Sequence, residues 1–245
     1  MPRHNPEMAT DSTQGPVGDG CDVGPVLTEV YRRLYRQYGP QGWWPGDGPL
    51  DVVIGAILTQ AAAWNNVERA IQNLKEAGCW SLEAIHHRSQ DELADIVRPS
   101  GYFNAKARKL KAFAEHVSVK YRGDLEAFLS GPLDTLREEL LSIHGIGQET
   151  ADDILVYAAH RPSFVIDAYT RRIVGRMGLL PEEKTSNYRA LQALFHDNLP
   201  PEADLFNEYH ALLDRHAKES CAKVPRCAGC CLRDICATGR REAPM

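Results

Sequence analysis

Apolar side chains recur every three or four residues along most of this chain, and that period restricts its fold more than any other feature. Val26, Val30 and Leu34 open the pattern. Residues at this spacing share one face of an α-helix. Further helices, or their starts, are predicted at 54–58, 67–74, 89–92, 104–121, 133–141, 149–159, 168–177, 187–197 and 202–219. No strand-like alternation is longer than Pro162–Ile166, so the predicted fold class is all-α.

Length and composition limit the class of protein. A chain of 245 residues, 43% hydrophobic and 25% charged, can bury one large core or two small ones. No run of eighteen apolar residues occurs, and residues 1–20 lack the apolar centre of a secretory signal. We therefore expect no membrane span and a cytoplasmic location. Residues 1–24, rich in Pro, Gly, Ser, Thr and Asp, are predicted to form a disordered leader.

Positive charge is concentrated in two segments, although the net charge is −5. Residues 98–122 contain seven Lys or Arg and one acid, and residues 215–245 contain seven Lys or Arg and three acids. Local basic faces of this kind suit a polyanion such as nucleic acid. An ordinary solvated helix face has the same composition, so charge alone leaves both interpretations open.

Two glycines separated by one residue form the most informative motif, Gly145-Ile146-Gly147. They allow a tight turn between two helices and leave free N–H groups at the start of the second helix. Such N–H groups and the positive end of the helix dipole bind phosphate. The same residues also fit an ordinary corner between two helices.

The hairpin and the residues after it resemble a known signature. Ile143–Gly147 with Thr150-Ala151, followed by Val165–Arg172, is similar to the helix-hairpin-helix and catalytic aspartate of the endonuclease III (HhH-GPD) superfamily of DNA glycosylases. The resemblance covers about residues 25–240. It implies a monomer that binds double-stranded DNA between two helical lobes. A six-helix barrel lobe would span 41–161 with the hairpin at 133–160, and the second lobe would combine 25–40 with 162–245.

The resemblance assigns roles to single residues. Asp167 would be catalytic, because a carboxylate stabilises the positive charge that develops on the sugar and orients the nucleophile. Asp167 also fits the N-cap of a helix that begins at Ala168, and the two roles are compatible. Gln60 would fill the gap left by an extruded base. Contacts to DNA phosphates would come from four hairpin residues: Gly145, Ile146, Gly147 and Thr150.

Two departures from the family pattern affect the expected chemistry. Members that also cleave the strand place a lysine where this chain has Glu149, and that amine forms a Schiff base with the sugar. A carboxylate cannot form an imine. The usual Gln-x-Thr-Asp stretch is also replaced by Gln60–Ala63, which lacks the aspartate. We therefore expect a monofunctional glycosylase in which water attacks and an abasic site remains.

Three segments resemble one branch of the superfamily, the bacterial 3-methyladenine DNA glycosylase III group. They are Thr59–Trp64, Arg98–Ala107 and Asp167–Tyr169. In that group aromatic residues at positions like Trp43, Trp44 and Trp64 stack on the extruded base. Electron-rich rings favour a cationic base such as an alkylated purine. Packing in the core is the alternative role for these tryptophans. Lys218 is similar in position to a pocket lysine of the group.

Five of the seven cysteines fall between Cys221 and Cys236, which favours metal ligation over disulfides in a cytosolic chain. The best set of ligands for a [4Fe–4S] cluster is Cys221, Cys227, Cys230 and Cys236, spaced C-x5-C-x2-C-x5-C. Its first interval is one residue shorter than the usual endonuclease III spacing, C-x6-C-x2-C-x5-C. Cys231 is a competing ligand, and a four-cysteine zinc site is the chemical alternative. The resemblance favours the iron–sulfur cluster in a loop over 221–236 that presses basic residues against DNA.

Two other functions stay open at this stage. The first is an oxidised-pyrimidine glycosylase with lyase activity, which would use another amine in place of the missing lysine. The second is a non-catalytic protein that binds DNA lesions through the same hairpin.

Overall fold

The computed structural model describes residues 22–44 and 46–241, and within them the chain is all-α. Thirteen α-helices are joined by short 3-10 turns, and the described residues contain no strand. The helices are α1 Val23–Tyr38, α2 Pro49–Thr59, α3 Trp64–Glu76, α4 Leu82–His87, α5 Gln90–Ile96, α6 Phe103–Tyr121, α7 Leu125–Leu129, α8 Leu133–Ser142, α9 Gln148–Asp153, α10 Ala168–Met177, α11 Tyr188–His196, α12 Ala203–Glu219 and α13 Ala237–Arg241. The predicted fold class is confirmed.

The predicted helices are present, and residues 22–44 and 46–241 contain three more α-helices. Helices α4, α7 and α13 have only five or six residues, too few to repeat an apolar period. The predicted helix 149–159 changes its hydrogen bonding after α9 and continues as one π-helical turn, Ile154–Ala158. Of the predicted leader, residues 1–21 lie outside the described residues, whereas Val23 and Gly24 already belong to α1.

Side chains fix several helix starts where the sequence favours them. The helix start predicted at 89–92 is present and has a capping box, in which the Glu92 carboxylate accepts the Ser89 N–H. Asp22 caps α1, and Asn187 caps α11. Each cap accepts an N–H that the first turn of a helix leaves without a partner.

The centre of the molecule is α2, which is buried from Asp51 to Leu58. A helix that is apolar on all sides is stable only inside a core. Helix α2 packs against α3, α6, α9 and the π-helical turn, so the chain leaving it delivers Gln60 to the hairpin. Helix α1 packs against α12, although the two are far apart in sequence. The division into lobes 41–161 and 25–40 plus 162–245 stays a prediction.

A buried ion pair between α8 and α9 is also hydrogen-bonded to side chains of α11. Arg137 on α8 donates two hydrogen bonds to Asp152 on α9, with N–O distances of 2.8 and 3.0 Å. Asp152 is fully buried and also accepts hydrogen bonds from Ser163, Tyr188 and Gln192. Because every partner is satisfied, the charge is tolerated in the core.

Two lysines of the basic segment 98–122 are engaged within the protein, whereas Arg98, Arg108, Lys120 and Arg122 are exposed. Lys106 is buried, and its Nζ donates to the carbonyl oxygens of Leu58 and Ser100. Burial lowers the pKa of Lys106 to about 8. Lys111 binds the backbone at the end of α4. Neither interpretation of this segment, a DNA-binding face or a solvated face, holds for these two lysines. No helix among the described residues is long and apolar enough to cross a membrane.

Candidate active site

A cavity of about 450 Å³ lies where α3, α9, α10 and α12 meet. The three tryptophans of the predicted pocket all line it, with ring centroids 5.5–6.2 Å apart. Its volume falls in the range of small-molecule pockets. The structure thus brings Trp43, Trp44 and Trp64 together with Glu149, Asp167 and Lys218.

The tryptophans combine pocket and packing positions. Trp44 lies directly on α2 at Gly55, where a Cβ would come within 2.8 Å of the indole ring. It also contacts Trp64 and Tyr157, edge-on and tilted respectively. Trp43 has a buried Nε1 without a hydrogen-bond partner among the described residues. These rings therefore line the cavity and also pack against the core, and their stacking on a base stays a prediction.

Asp167 uses its two carboxylate oxygens differently. Oδ1 accepts a hydrogen bond from the Thr170 N–H at 2.7 Å and caps α10. Oδ2 lies 3.9 Å from Nε2 of His210. About one-fifth of the Asp167 side chain is exposed, so one oxygen holds the helix while the other lies at the cavity.

The cavity wall is rich in carboxyl groups. Glu149 and Asp153, one turn apart on α9, line it together with Asp167 and Asp214. Lost contact with water and the nearby charge of Asp167 raise the pKa of Glu149 to about 7. Burial, followed by the charge of Glu149, raises the pKa of Asp153 well above its ordinary value. The wall therefore offers four carboxyl groups and one lysine, and its negative charge grows as Glu149 ionises.

Helix α12 contributes a polar stripe to the cavity. His210, Asp214 and Lys218 are spaced by four residues, so they share one helix face. Lys218 Nζ donates to Asp214 at 2.6 Å and lies 6.0 Å from the ring centroids of Trp43 and Tyr169. The predicted pocket lysine therefore has a carboxylate partner and aromatic neighbours.

The hairpin holds Gln60 from one side. Gln60 Nε2 donates to Thr150 Oγ1 at 2.9 Å and to the Gly145 carbonyl oxygen at 3.3 Å, and Lys109 Nζ donates to Gln60 Oε1. Gly145 has φ +85°, and a Cβ there would collide with the aliphatic chain of Lys109. The buried side chain of Ile146 anchors the turn in the core. Gln60 and the hairpin thus form one surface.

The four predicted cysteine ligands line a second cavity. Cys221, Cys227, Cys230 and Cys236 border it together with apolar side chains from α10. Cys231 instead lies in a groove with Arg33 and Arg36 of α1. Arg33 donates to the Cys231 carbonyl oxygen at 3.2 Å. No disulfide joins the described cysteines.

Sequence reasoning missed three cavity residues: Asp153, His210 and Asp214. A signal existed for each of them. Asp153 follows Glu149 by four residues, and His210 and Asp214 precede Lys218 by eight and four. Polar residues at helical spacing indicate a shared face, but only the packing of α9 near α12 places both faces on one cavity.

Comparisons with known proteins show the family to which this chain belongs. The family model for "HhH-GPD superfamily base excision DNA repair protein" matches residues 54–201. The protein MJ1434 of Methanocaldococcus jannaschii, which bears the name of a DNA repair glycosylase, is 41% identical over 86% of this chain and 96% of its own length.

Two solved structures share the fold. A trapped endonuclease III–DNA covalent intermediate has a TM-score of 0.76 at 18% identity, covering 89% of this chain and 97% of that one. The 3-methyladenine DNA glycosylase MagIII of H. pylori, bound to 1,N6-ethenoadenine, has a TM-score of 0.66 at 24% identity, covering 81% and 98%. With the family match over more than half of the chain, these findings identify the protein as a base-excision repair DNA glycosylase of the HhH-GPD superfamily.

Proposed function

We propose that this glycosylase is monofunctional and releases alkylated purines, such as 3-methyladenine, from double-stranded DNA. The observation that carries the proposal is the cavity in which three tryptophans stand with four carboxyl groups. Aromatic faces and negative charge both attract a cationic base. The likeness to a 3-methyladenine DNA glycosylase that binds a modified adenine supports the same assignment.

The proposed reaction needs no covalent enzyme intermediate. The bond between C1′ and the base nitrogen breaks, and its electron pair leaves with the base. The Asp167 carboxylate stabilises the cationic sugar and accepts a proton from water, whose oxygen bonds to C1′. An alkylated base is already a good leaving group, so no strong acid is required. The product is an abasic site in an intact strand.

The hairpin supplies the proposed contact with DNA. Gly147 lies just before α9, and no protein atom lies within 4 Å of the position of a Cβ there. That open space leaves the first N–H groups of the helix accessible to phosphate oxygens. Gln60, held by Thr150, would enter the duplex where the damaged base leaves it.

A second activity, strand cleavage through Lys218, deserves a direct test because this lysine lines the cavity. It would attack C1′ as a free amine, but it is ion-paired with Asp214 at 2.6 Å. The ion pair favours the monofunctional reaction, since a protonated amine has no lone pair to donate.

The decisive experiment is base release from matched duplexes that contain 3-methyladenine, 7-methylguanine, thymine glycol or uracil. Each product is analysed with and without hot alkali, and a parallel sample is treated with borohydride. We expect strand breaks only after alkali, on the alkylated duplexes, and no covalent trapping. Trapping that disappears in Lys218→Ala would establish the lyase reaction instead. Release from thymine glycol or uracil alone would refute the alkylpurine assignment.

We also propose that Cys221, Cys227, Cys230 and Cys236 hold a [4Fe–4S] cluster. These four thiols border one cavity, and four cysteine thiolates are the usual ligand set of such a cluster. Its proposed role is to fold the basic loop around Lys223 and Arg226 for contact with DNA, apart from the glycosylase chemistry.

A further inference from the structure

His210 occupies a position that the proposed reaction has not used. It lies on α12, is 8% exposed and has a different neighbour at each ring nitrogen. Nδ1 is 2.5 Å from the Tyr157 hydroxyl oxygen, and Nε2 is 3.9 Å from Asp167 Oδ2. His210 therefore connects the π-helical turn after α9 with the carboxylate proposed to act on the sugar.

The two neighbours of the His210 ring, Tyr157 and Asp167, determine which ring nitrogen carries the proton. A neutral imidazole has one donor and one acceptor nitrogen. Burial lowers the pKa of His210 and raises that of Tyr157, so both groups are held in their neutral forms. Because Nε2 faces the Asp167 carboxylate, which accepts hydrogen bonds, the fitting tautomer has its hydrogen on Nε2, and the Tyr157 hydroxyl then donates to Nδ1.

The Nε2 atom is a buried donor without a partner among the described residues. A buried polar atom that lacks a hydrogen bond costs about 1–3 kcal/mol, so a ligand is expected to satisfy it. The separation of 3.9 Å from Asp167 Oδ2 is too long for a direct hydrogen bond. It suits one water molecule bonded to both atoms at about 2.8 Å.

Asp167 is prepared for such a water by its other oxygen. Because Oδ1 is fixed at the start of α10 by the Thr170 N–H, Oδ2 cannot rotate away without breaking the helix cap. The remaining charged groups that face this point are Glu149, Asp153, Asp214 and Lys218. Of the cavity residues, only His210 is bonded to a second side chain that fixes its tautomer.

We propose that His210 and Asp167 together hold the water molecule that attacks C1′, with Tyr157 orienting the imidazole. Nε2–H donates to the water oxygen, and the water donates one hydrogen to Asp167 Oδ2. A second lone pair of that oxygen forms the bond to C1′ as the base departs with its electron pair, and the proton passes to Asp167. This inference rests on the proposed function and adds a second catalytic residue to it.

The test compares single-turnover base release by the full-length wild type, His210→Ala and His210→Gln on the duplex with the best activity. Binding is measured separately with a duplex that contains a reduced abasic site. We expect His210→Ala to lower the rate about 100-fold while binding changes less than about twofold. Gln places an N–H close to the position of Nε2, so His210→Gln should recover part of the rate.

Tyr157 provides the decisive pair of variants. We expect Tyr157→Phe to lower the rate about fivefold, and Tyr157→Phe with His210→Ala to be no slower than His210→Ala alone, since the tyrosine acts through the histidine. Tyr209→Phe is the matched control. Tyr209 is buried on α12 beside His210, but its hydroxyl donates to the Leu27 carbonyl oxygen instead of to the histidine. This variant should lose stability but retain the rate.

Three results would overturn the inference: a rate for folded His210→Ala within about twofold of wild type, additive losses in the double variant, or no recovery with His210→Gln. Folding is checked by thermal unfolding of each variant, and His210→Gln remains informative if His210→Ala does not fold. A wild type that releases no base from any duplex would instead refute the proposed function. The two failures are therefore distinguishable.

Discussion

Helix α12 carries two histidines, one at each of two cavities, and each is hydrogen-bonded to a tyrosine from another element. At the tryptophan cavity Tyr157 bonds Nδ1 of His210, and at the cysteine cavity Tyr38 bonds Nδ1 of His216 at 2.9 Å. Nε2 of His210 faces a carboxylate at 3.9 Å, whereas Nε2 of His216 lies 3.6 Å from Cys230 Sγ. The same tyrosine–histidine hydrogen bond therefore occurs next to a carboxylate at one cavity and next to a thiol at the other.

The surroundings differ in charge and in openness. Acidic side chains dominate the tryptophan cavity, whereas Arg176 reaches into the cysteine region and donates to Cys221 Sγ at 3.3 Å. An acidic, water-accessible cavity can admit a cationic base. One helix thus separates the proposed chemistry from the proposed cluster, with a histidine facing each.

The largest effect should come from Asp167→Asn. The amide still accepts the Thr170 N–H through its oxygen, so α10 keeps its cap, but it neither accepts the proton nor carries the negative charge. We expect single-turnover base release to fall about 100- to 10,000-fold, while iron content is unchanged. An equal loss of iron would show that the two cavities are not independent.

A change in the shared core should affect both cavities together. Asp152→Ala leaves Arg137, Ser163, Tyr188 and Gln192 without their buried partner. We expect the free energy of unfolding to fall by about 3–5 kcal/mol, measured by urea denaturation. Asp95→Ala is the matched control, because its pair with Arg98 is exposed and should contribute less than about 1 kcal/mol. Equal losses would contradict the role assigned to burial.

Neighbouring cysteines allow the cysteine cavity to be tested alone. Cys230 borders that cavity, whereas Cys231 faces Arg33 and Arg36. We expect Cys230→Ser to lose cluster iron about 10- to 100-fold faster than wild type. The loss is monitored as iron content and visible absorbance during dialysis. Cys231→Ser should retain the cluster. The reverse result would mean that Cys231 is the third ligand.

The smallest effect should be a pH dependence in the tryptophan cavity. The pKa of Glu149 is raised to about 7, so this carboxyl is neutral below that pH and negative above it. Release of a cationic base should therefore rise about fivefold as the pH passes through 7. Glu149→Gln removes this rise while leaving iron content unchanged. A rise that persists in Glu149→Gln would assign the titration to another group, with Asp153 next in line.

Much of the fold was predictable because helical period and capping are local properties. The apolar spacing around Val30 and Leu34 predicts α1, and Ser89 with Glu92 predicts the start of α5. The position of Asp167 after the hairpin predicts a catalytic residue, and the N-cap considered for it is present. The short helices were missed because five or six residues cannot establish a period.

The sequence by itself determined the helical class, the glycine turn, the cap at Asp167 and the spacing of the cysteines. Each depends on residues within about one or two turns of one another. Only the tertiary structure decided that Lys106 faces inward, that Cys230 and Cys231 face different cavities, and that His210 meets Asp167. Those outcomes depend on which helix faces pack together, and packing is selected by the burial of the whole core.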